Sequence, residues 1–263
     1  MSEKPDSSLA RMLGVLDLYT EQRLFWSAED MAQALEVSIP TAYRYLKTLS
    51  DAGLLRRGSD ARYTLGPRVV VLDHFIRQAD PVLQCGIPIM KELVVQTGFD
   101  CVVSSLHGDQ LLDTHREYGA LPADLSYGRG RPRPLFRGGA PKVILAGLPT
   151  AHLHKLFNAH AHDIAAAGLP TEWSAFRRTF SQIRKQGFYL SSGELEANLA
   201  AIAVPLQQAD GSVIAALSLV TTVQRMAMID PAKLAPLIQR AGREISARLE
   251  HSPSPFPFTE SKP

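Results

Sequence analysis

Residues 27–65 read SAEDMAQALEVSIPTAYRYLKTLSDAGLLRRGSDARYTL, with Trp26 just ahead, and they decide the fold. Ser27 followed three residues later by Asp30 makes a capping-box-like helix start, the shorter Asp replacing the preferred Glu. Ala28, Met31, Ala32 and Leu35 form its inner face, and the small alanines permit close approach of a neighbour. Ser38 then N-caps a second helix with Ile39 and Pro40 in its first turn, where a missing N–H costs nothing. Ala42, Leu46 and Leu49 point inward, Tyr45 lies at the edge, and Gly53 closes the helix. Pro40, Tyr43, Arg44 and Lys47 share the opposite face at i, i+3, i+4 and i+7. Strands 54–57 and 62–65 flank Gly58-Ser59-Asp60-Ala61 as a hairpin with cations at both ends. A polar, basic, aromatic helix face beside a basic hairpin suits a DNA major groove and its phosphates.

Upstream, Leu9, Met12, Leu13 and Leu16 predict a first helix of about three turns with one buried stripe, although Gly14 interrupts it. Three helices and a hairpin make a winged helix-turn-helix over residues 1–66, with residues 1–7 polar and frayed. The charge is local. Residues 38–68 hold six Lys/Arg against two acids, while residues 1–37 are acidic on balance and the whole chain is only +2. A 45% hydrophobic, 21% charged composition excludes a disordered or fibrous chain. Two cysteines without a C-x-x-C favour a reducing compartment. No signal-peptide pattern and no run of ~20 apolar residues is present, so a cytoplasmic protein with no membrane partner is expected.

Residues 67–80 read as a linker helix whose Val70, Val71, Leu72, Phe75 and Ile76 require burial on more than one side. Such a helix lies in a core or packs against a second copy; pairing at a dimer interface is preferred. Residues 81–251 read as a mixed α/β domain. Leu83, Ile87, Met90 and Val94 mark an amphipathic helix ending at Gly98, and a hairpin turns at Gly108-Asp109. Residues 117–138 are loop-like. Helices follow at 140–148, at 152–157, and from a Thr171 cap to Gln186; strands 188–190, 199–206 and 213–221 turn at Asp210-Gly211, and Asp230-Pro231 opens a last helix to about residue 250. The tail, 252–263, is expected to be disordered.

In order and spacing, the chain resembles the IclR family of bacterial transcriptional regulators over nearly its whole length. Thr41, Arg44 and Thr48-Leu49 match the family's helix-turn-helix, although Glu36 stands where a glycine is usual. Tyr63-Thr64-Leu65-Gly66 matches its wing, and Gly187 before a strand and Glu194-x-Glu196 also match. Ile202-Ala203-Val204-Pro205 and Ala215-Ala216-Leu217-Ser218 match its C-terminal signature. The resemblance implies an α+β chain: an N-terminal winged helix-turn-helix, a linker helix and a C-terminal GAF-like α/β effector-binding domain that pairs into dimers or tetramers. Ala201 replaces a frequent cysteine, Ser191 an acid found in some members, Asn198 a common glycine, and Ser218 with Val220 the paired serines. A glyoxylate or pyruvate ligand is therefore not carried over.

For DNA, Tyr43 and Arg44 are candidates for base edges; Ser38, Thr41, Lys47, Arg56, Arg57 and Arg62 suit phosphates, and Pro40 completes the face. A merely solvated helix face is the alternative. Arg129-x-Arg131-x-Arg133 and Arg137, before the Gly138-Gly139-Ala140 helix start, make a candidate anion site with that helix's N–H groups, the interleaved Tyr127 and Phe136 being able to flank a ring. A solvated basic loop or an assembly contact is the alternative. Arg133, Arg137, Gly139, Ala140, Ser191, Leu199, Ala201, Ser218 and Val220 form the candidate effector set, for a carboxylate-bearing small molecule. His152, His154, His160 and His162 lack a metal-site spacing, and no nucleophile–base pair or P-loop occurs. The reading is a DNA-binding regulator with operator DNA, a small effector and itself as partners, and with no cofactor, metal or catalytic residue. An enzyme carrying a DNA-binding module and a ligand-free DNA-binding scaffold are the rivals.

Overall fold

The structure, a computed structural model, describes residues 7–251; residues 1–6 and the 252–263 tail lie outside the described residues. The chain divides into two compact units, the first ending at Asp80 and the second beginning at Pro81.

The first unit contains α1 (Ser8–Leu13), a 3-10 turn (Leu16–Leu18), α2 (Ala28–Ala34), α3 (Ile39–Asp51), β1 (Leu55–Arg57), β2 (Tyr63–Leu65) and α4 (Arg68–Ala79). The first helix is shorter than its periodicity suggests. Gly14 ends α1, and the following turn winds at about three residues per turn, which slips the apolar phase. Met12, Val15 and Leu16 therefore pack on the core, while Leu9 and Leu13 stay exposed. Tyr45 also departs from expectation: it is buried, because its hydroxyl finds Ser8 Oγ at 3.0 Å. Trp26 joins the wing by exchanging two backbone hydrogen bonds with Tyr63, at 3.0 and 2.7 Å.

Where the wing meets α4, the chain is tightly jointed. Gly66 N–H donates to Leu54 O at 2.7 Å, Arg68 N–H to Gly53 O at 3.2 Å, and Arg68 Nη1 to Ala52 O at 3.0 Å. A side chain on Gly66 would collide with the Gly53 carbonyl. Beyond this joint, α4 buries none of its residues, and Val70 and Ile76 are 72% and 62% exposed. Within the first unit, α4 is therefore not part of a core.

The second unit contains α5 (Pro81–Thr97), β3 (Asp100–His107), β4 (Gln110–Glu117), β5 (Pro132–Arg133), α6 (Gly139–Gly147), α7 (Thr150–Ala159), α8 (Ala161–Ala166) and α9 (Trp173–Gln186). It continues with β6 (Tyr189–Ser192), β7 (Leu199–Gln207), β8 (Val213–Thr222), α10 (Val223–Ala227) and α11 (Pro231–His251). The six strands form one antiparallel sheet in the order β5-β4-β3-β8-β7-β6. Period-two alternation sends Ala200, Ile202 and Val204 to one face, against α5 and α11. Ala203 and Ala216 face the other way, under α6 and α9. α5 buries Val82, Leu83, Ile89, Met90 and Leu93, so Ile87 and Val94 are only half-buried. Glu172, not Thr171, caps α9: its carboxylate accepts from Ser174 N at 3.1 Å and Ala175 N at 3.0 Å.

Toward β3 and β4, the second face is covered by loop rather than helix. Asp100, buried at the start of β3, accepts from Gly119 N at 2.6 Å, Ala123 N at 2.7 Å and Arg116 Nη2 at 2.7 Å. This clasp holds Ala123 against Val102, Leu199 and Val220. A cavity lies beside that cluster.

Candidate nucleic-acid interface and ligand cavity

On the first unit, the amphipathic α3 presents Pro40, Tyr43, Arg44 and Lys47 to solvent, opposite Ala42, Leu46 and Leu49. Ser38 Oγ accepts from Thr41 N at 3.4 Å and lies 2.9 Å from Thr41 Oγ1, closing the first turn. Tyr43 donates to Glu29 Oε1 at 3.3 Å, and the negative charge of Glu29 raises its phenol above the ordinary value, which keeps it a donor. Arg56 and Arg57 are exposed on β1. Arg62 differs: Asp60 accepts from its Nε at 2.6 Å and from its backbone N at 3.2 Å. The hydrogen bonds from Arg62 lower the Asp60 carboxyl below its usual range. All nine candidate DNA residues thus fall on α3, its cap or the wing, with Arg62 already engaged.

On the second unit, a cleft is lined by six of the nine effector candidates: Arg133, Gly139, Ser191, Leu199, Ala201 and Val220. The other three do not line it. Arg137 donates from Nη2 to Ala166 O at 2.7 Å, capping the end of α8. Ala140 is packed into the cluster beneath α6. Ser218 sits on β8 two residues from Val220, buried, with no hydrogen-bond partner for its Oγ among the described residues. Tyr127 lines the cleft, whereas Phe136 is buried against Phe176.

Arg133 is the cavity's central cation. Its side chain is 10% exposed, its Nη1 meets Asp113 Oδ1 at 2.7 Å, and its Nε is buried without a partner. Ser104 Oγ donates to the same Asp113 oxygen at 2.7 Å. Asp113 escaped the sequence reading, yet the alternation in QLLDTHRE puts it on the same side as buried Leu111. Glu196 is a second missed lining residue; its Oε1 accepts from Ser126 N at 2.9 Å, tying two walls together. Gly138, at φ +92°, turns the chain into α6, and Gly139 packs so closely on β7 that an added Cβ would stand 3.0 Å from Ala203 Cβ. Backbone rather than side chain therefore forms this wall. Besides Arg133, the neighbouring basic residues serve the loop, Arg129 and Arg131 donating to Thr114 O and Ser126 O. His154 packs on Trp173, and His160 on Phe136. No group of three or more His, Cys, Asp or Glu residues able to hold a metal ion occurs among the described residues, and no described helix is long and apolar enough to cross a membrane.

Comparison with known proteins follows the same division. Residues 8–59 match the IclR helix-turn-helix domain, and residues 76–247 match the bacterial transcriptional regulator IclR C-terminal domain. The HTH-type transcriptional regulator XynR of Escherichia coli is 29% identical over 244 residues, covering 92% of this chain and 96% of that protein. The Pca regulon regulatory protein of Pseudomonas putida is 28% identical over 249 residues, covering 92% and 84%. An IclR homolog from Microbacterium hydrocarbonoxydans, crystallised with 4-hydroxybenzoate, superposes with a TM-score of 0.71 at 22% identity, covering 94% of this chain and 100% of that one. An IclR transcriptional regulator from Alicyclobacillus acidocaldarius gives 0.72 at 21% identity, covering 93% and 97%. The C-terminal match alone spans more than half of the sequence, and with the reader domain before it the chain belongs to the IclR family, as a DNA-binding transcriptional regulator and not an enzyme.

Proposed function

We propose that the chain is a homo-oligomeric regulator that reads operator DNA through residues 1–66, pairs through 67–80 and takes a small carboxylate in 81–251. Arg44 and Tyr43 contact base edges, while Ser38, Thr41, Lys47, Arg56 and Arg57 hold phosphates. The observation that carries the effector reading is Arg133, nine-tenths buried in the cavity wall beside the glycine backbone that opens α6. A guanidinium edge with an unpartnered Nε next to a helix N-terminus favours an anion. The apolar remainder, including Leu125, Leu199 and Val220, suits a ring or short hydrocarbon body. Binding of 4-hydroxybenzoate by the Microbacterium homolog supports an aromatic acid. Self-pairing is supported by the exposed apolar residues of α4. The effector acts by preferring one arrangement of the paired readers.

Two measurements test this. A mobility shift with the promoter DNA beside its own gene should show a complex at low salt; folded protein that gives none would end the DNA assignment. Titration calorimetry with benzoate and 4-hydroxybenzoate should show binding that Arg133→Ala weakens at least tenfold, and an unchanged affinity would remove the carboxylate reading.

A further inference from the structure

The α6 end of the cavity is held from behind by a carboxylate of the chain itself. Gly138 N–H donates to Glu194 Oε2 at 3.2 Å. Lys142, one turn into α6, forms an ion pair with the same oxygen. The Tyr189 hydroxyl donates to Glu194 Oε1 at 2.8 Å and accepts from Lys142 Nζ at 3.1 Å. Burial raises the Tyr189 phenol above its ordinary value, so it stays protonated. Three donors converge on one carboxylate, and the Lys142 side chain among them is only 5% exposed. On the cavity side stands Arg133, with its unpartnered Nε and with Nη2 3.5 Å from where a Cβ on Gly138 would lie.

Each of the two cations at this corner already has an anionic partner. Arg133 is matched by Asp113 and Lys142 by Glu194. A carboxylate arriving at Gly139 and Arg133 adds one uncompensated negative charge close to Glu194. Poor hydration makes that repulsion costly. Lys142, being buried, must keep an anionic partner. Two carboxylates then compete for one set of donors.

We propose that Glu194 is a built-in competitor for the effector's carboxylate, filling the Lys142–Tyr189–Gly138 donor set in the empty protein and yielding it when a monocarboxylate enters. This rests on the carboxylate reading of the cavity given above. The exchange has a structural consequence, because Leu195 and Glu196 follow directly and line the cavity, and Glu196 holds Ser126 in the covering loop. Release of Glu194 thus loosens two walls at once.

The test titrates acetate, benzoate and 4-hydroxybenzoate into the full-length protein by calorimetry, at constant ionic strength set with chloride. Glu194→Gln keeps one acceptor oxygen, for Gly138 N–H, and turns its NH2 toward the Tyr189 hydroxyl, which can accept from it. It removes the charge, and is expected to bind benzoate at least tenfold more tightly than wild type and to acquire measurable acetate binding. Since Glu194→Gln leaves a buried cation unpaired, the neutral pair Glu194→Gln with Lys142→Met is measured alongside, and it should lose that gain. Equal affinities in wild type and Glu194→Gln, or no binding in either, overturn the competitor. Weaker binding in Arg133→Ala without a gain in Glu194→Gln overturns the competitor alone, and Arg133→Ala indistinguishable from wild type overturns the carboxylate reading itself.

Discussion

Glu36, in the turn between α2 and α3, has φ +54°, a conformation that costs a side-chain-bearing residue and suits glycine. Its unusual place in the family pattern is thus a backbone fact. Glu36→Gly should raise the stability of the first unit by about 1 kcal/mol, a shift of a few degrees in its thermal transition, readable by circular dichroism. Asp60 offers a second prediction. It neutralises Arg62 at the wing tip, so Asp60→Asn should tighten binding to every DNA sequence alike and steepen the salt dependence of log K by about 0.9, as fluorescence anisotropy would report. Sequence reading went less far with Arg133 and Arg137, four residues apart. Nothing local distinguishes them. Arg133 is drawn in by a buried Asp113 from the next strand, while Arg137 finds the open carbonyl end of α8. Partners remote in sequence decide which of two similar side chains reaches the cavity.

Elements with strong periodicity were readable in advance, as α3, α9, α11 and the hairpins show. Those missed were short. α8 and α10 have six and five residues and β5 has two, lengths at which local preference is too weak to form structure without tertiary neighbours. The phase slip after α1 has the same origin, a single glycine followed by a tighter turn. For α4, the sequence left open whether its apolar residues lie in a core or between copies. Their exposure favours the second. Ile76→Asp places a charge in that surface and should convert the proposed oligomer to monomers in sedimentation velocity, with operator affinity falling on the order of a hundredfold as the second reader is lost.

At the scale of the whole molecule, the division into a reader and a cavity-bearing unit was readable from the order of motifs, and the two family matches follow it. The identity of the pocket wall was not, since it depends on backbone glycines and on a loop tied down by Asp100. Paired readers on a two-fold axis should require half-sites about 34–36 Å apart or a multiple of that spacing. Inserting about five base pairs between them should abolish the shifted complex, and about ten should restore it. The joint at Gly66 then acquires a mechanical meaning. With Gly66 pressed on the Gly53 carbonyl and Arg68 bonded to Ala52, the end of α3 and the start of α4 form a stiff elbow. α4 is a lever arm of about 18 Å, so a swing of about 10° displaces its far end by ~3 Å. An elbow without slack passes that swing to α3 as rotation. Softening it, more than weakening any single DNA contact, is how ligand and operator would be uncoupled while each still binds.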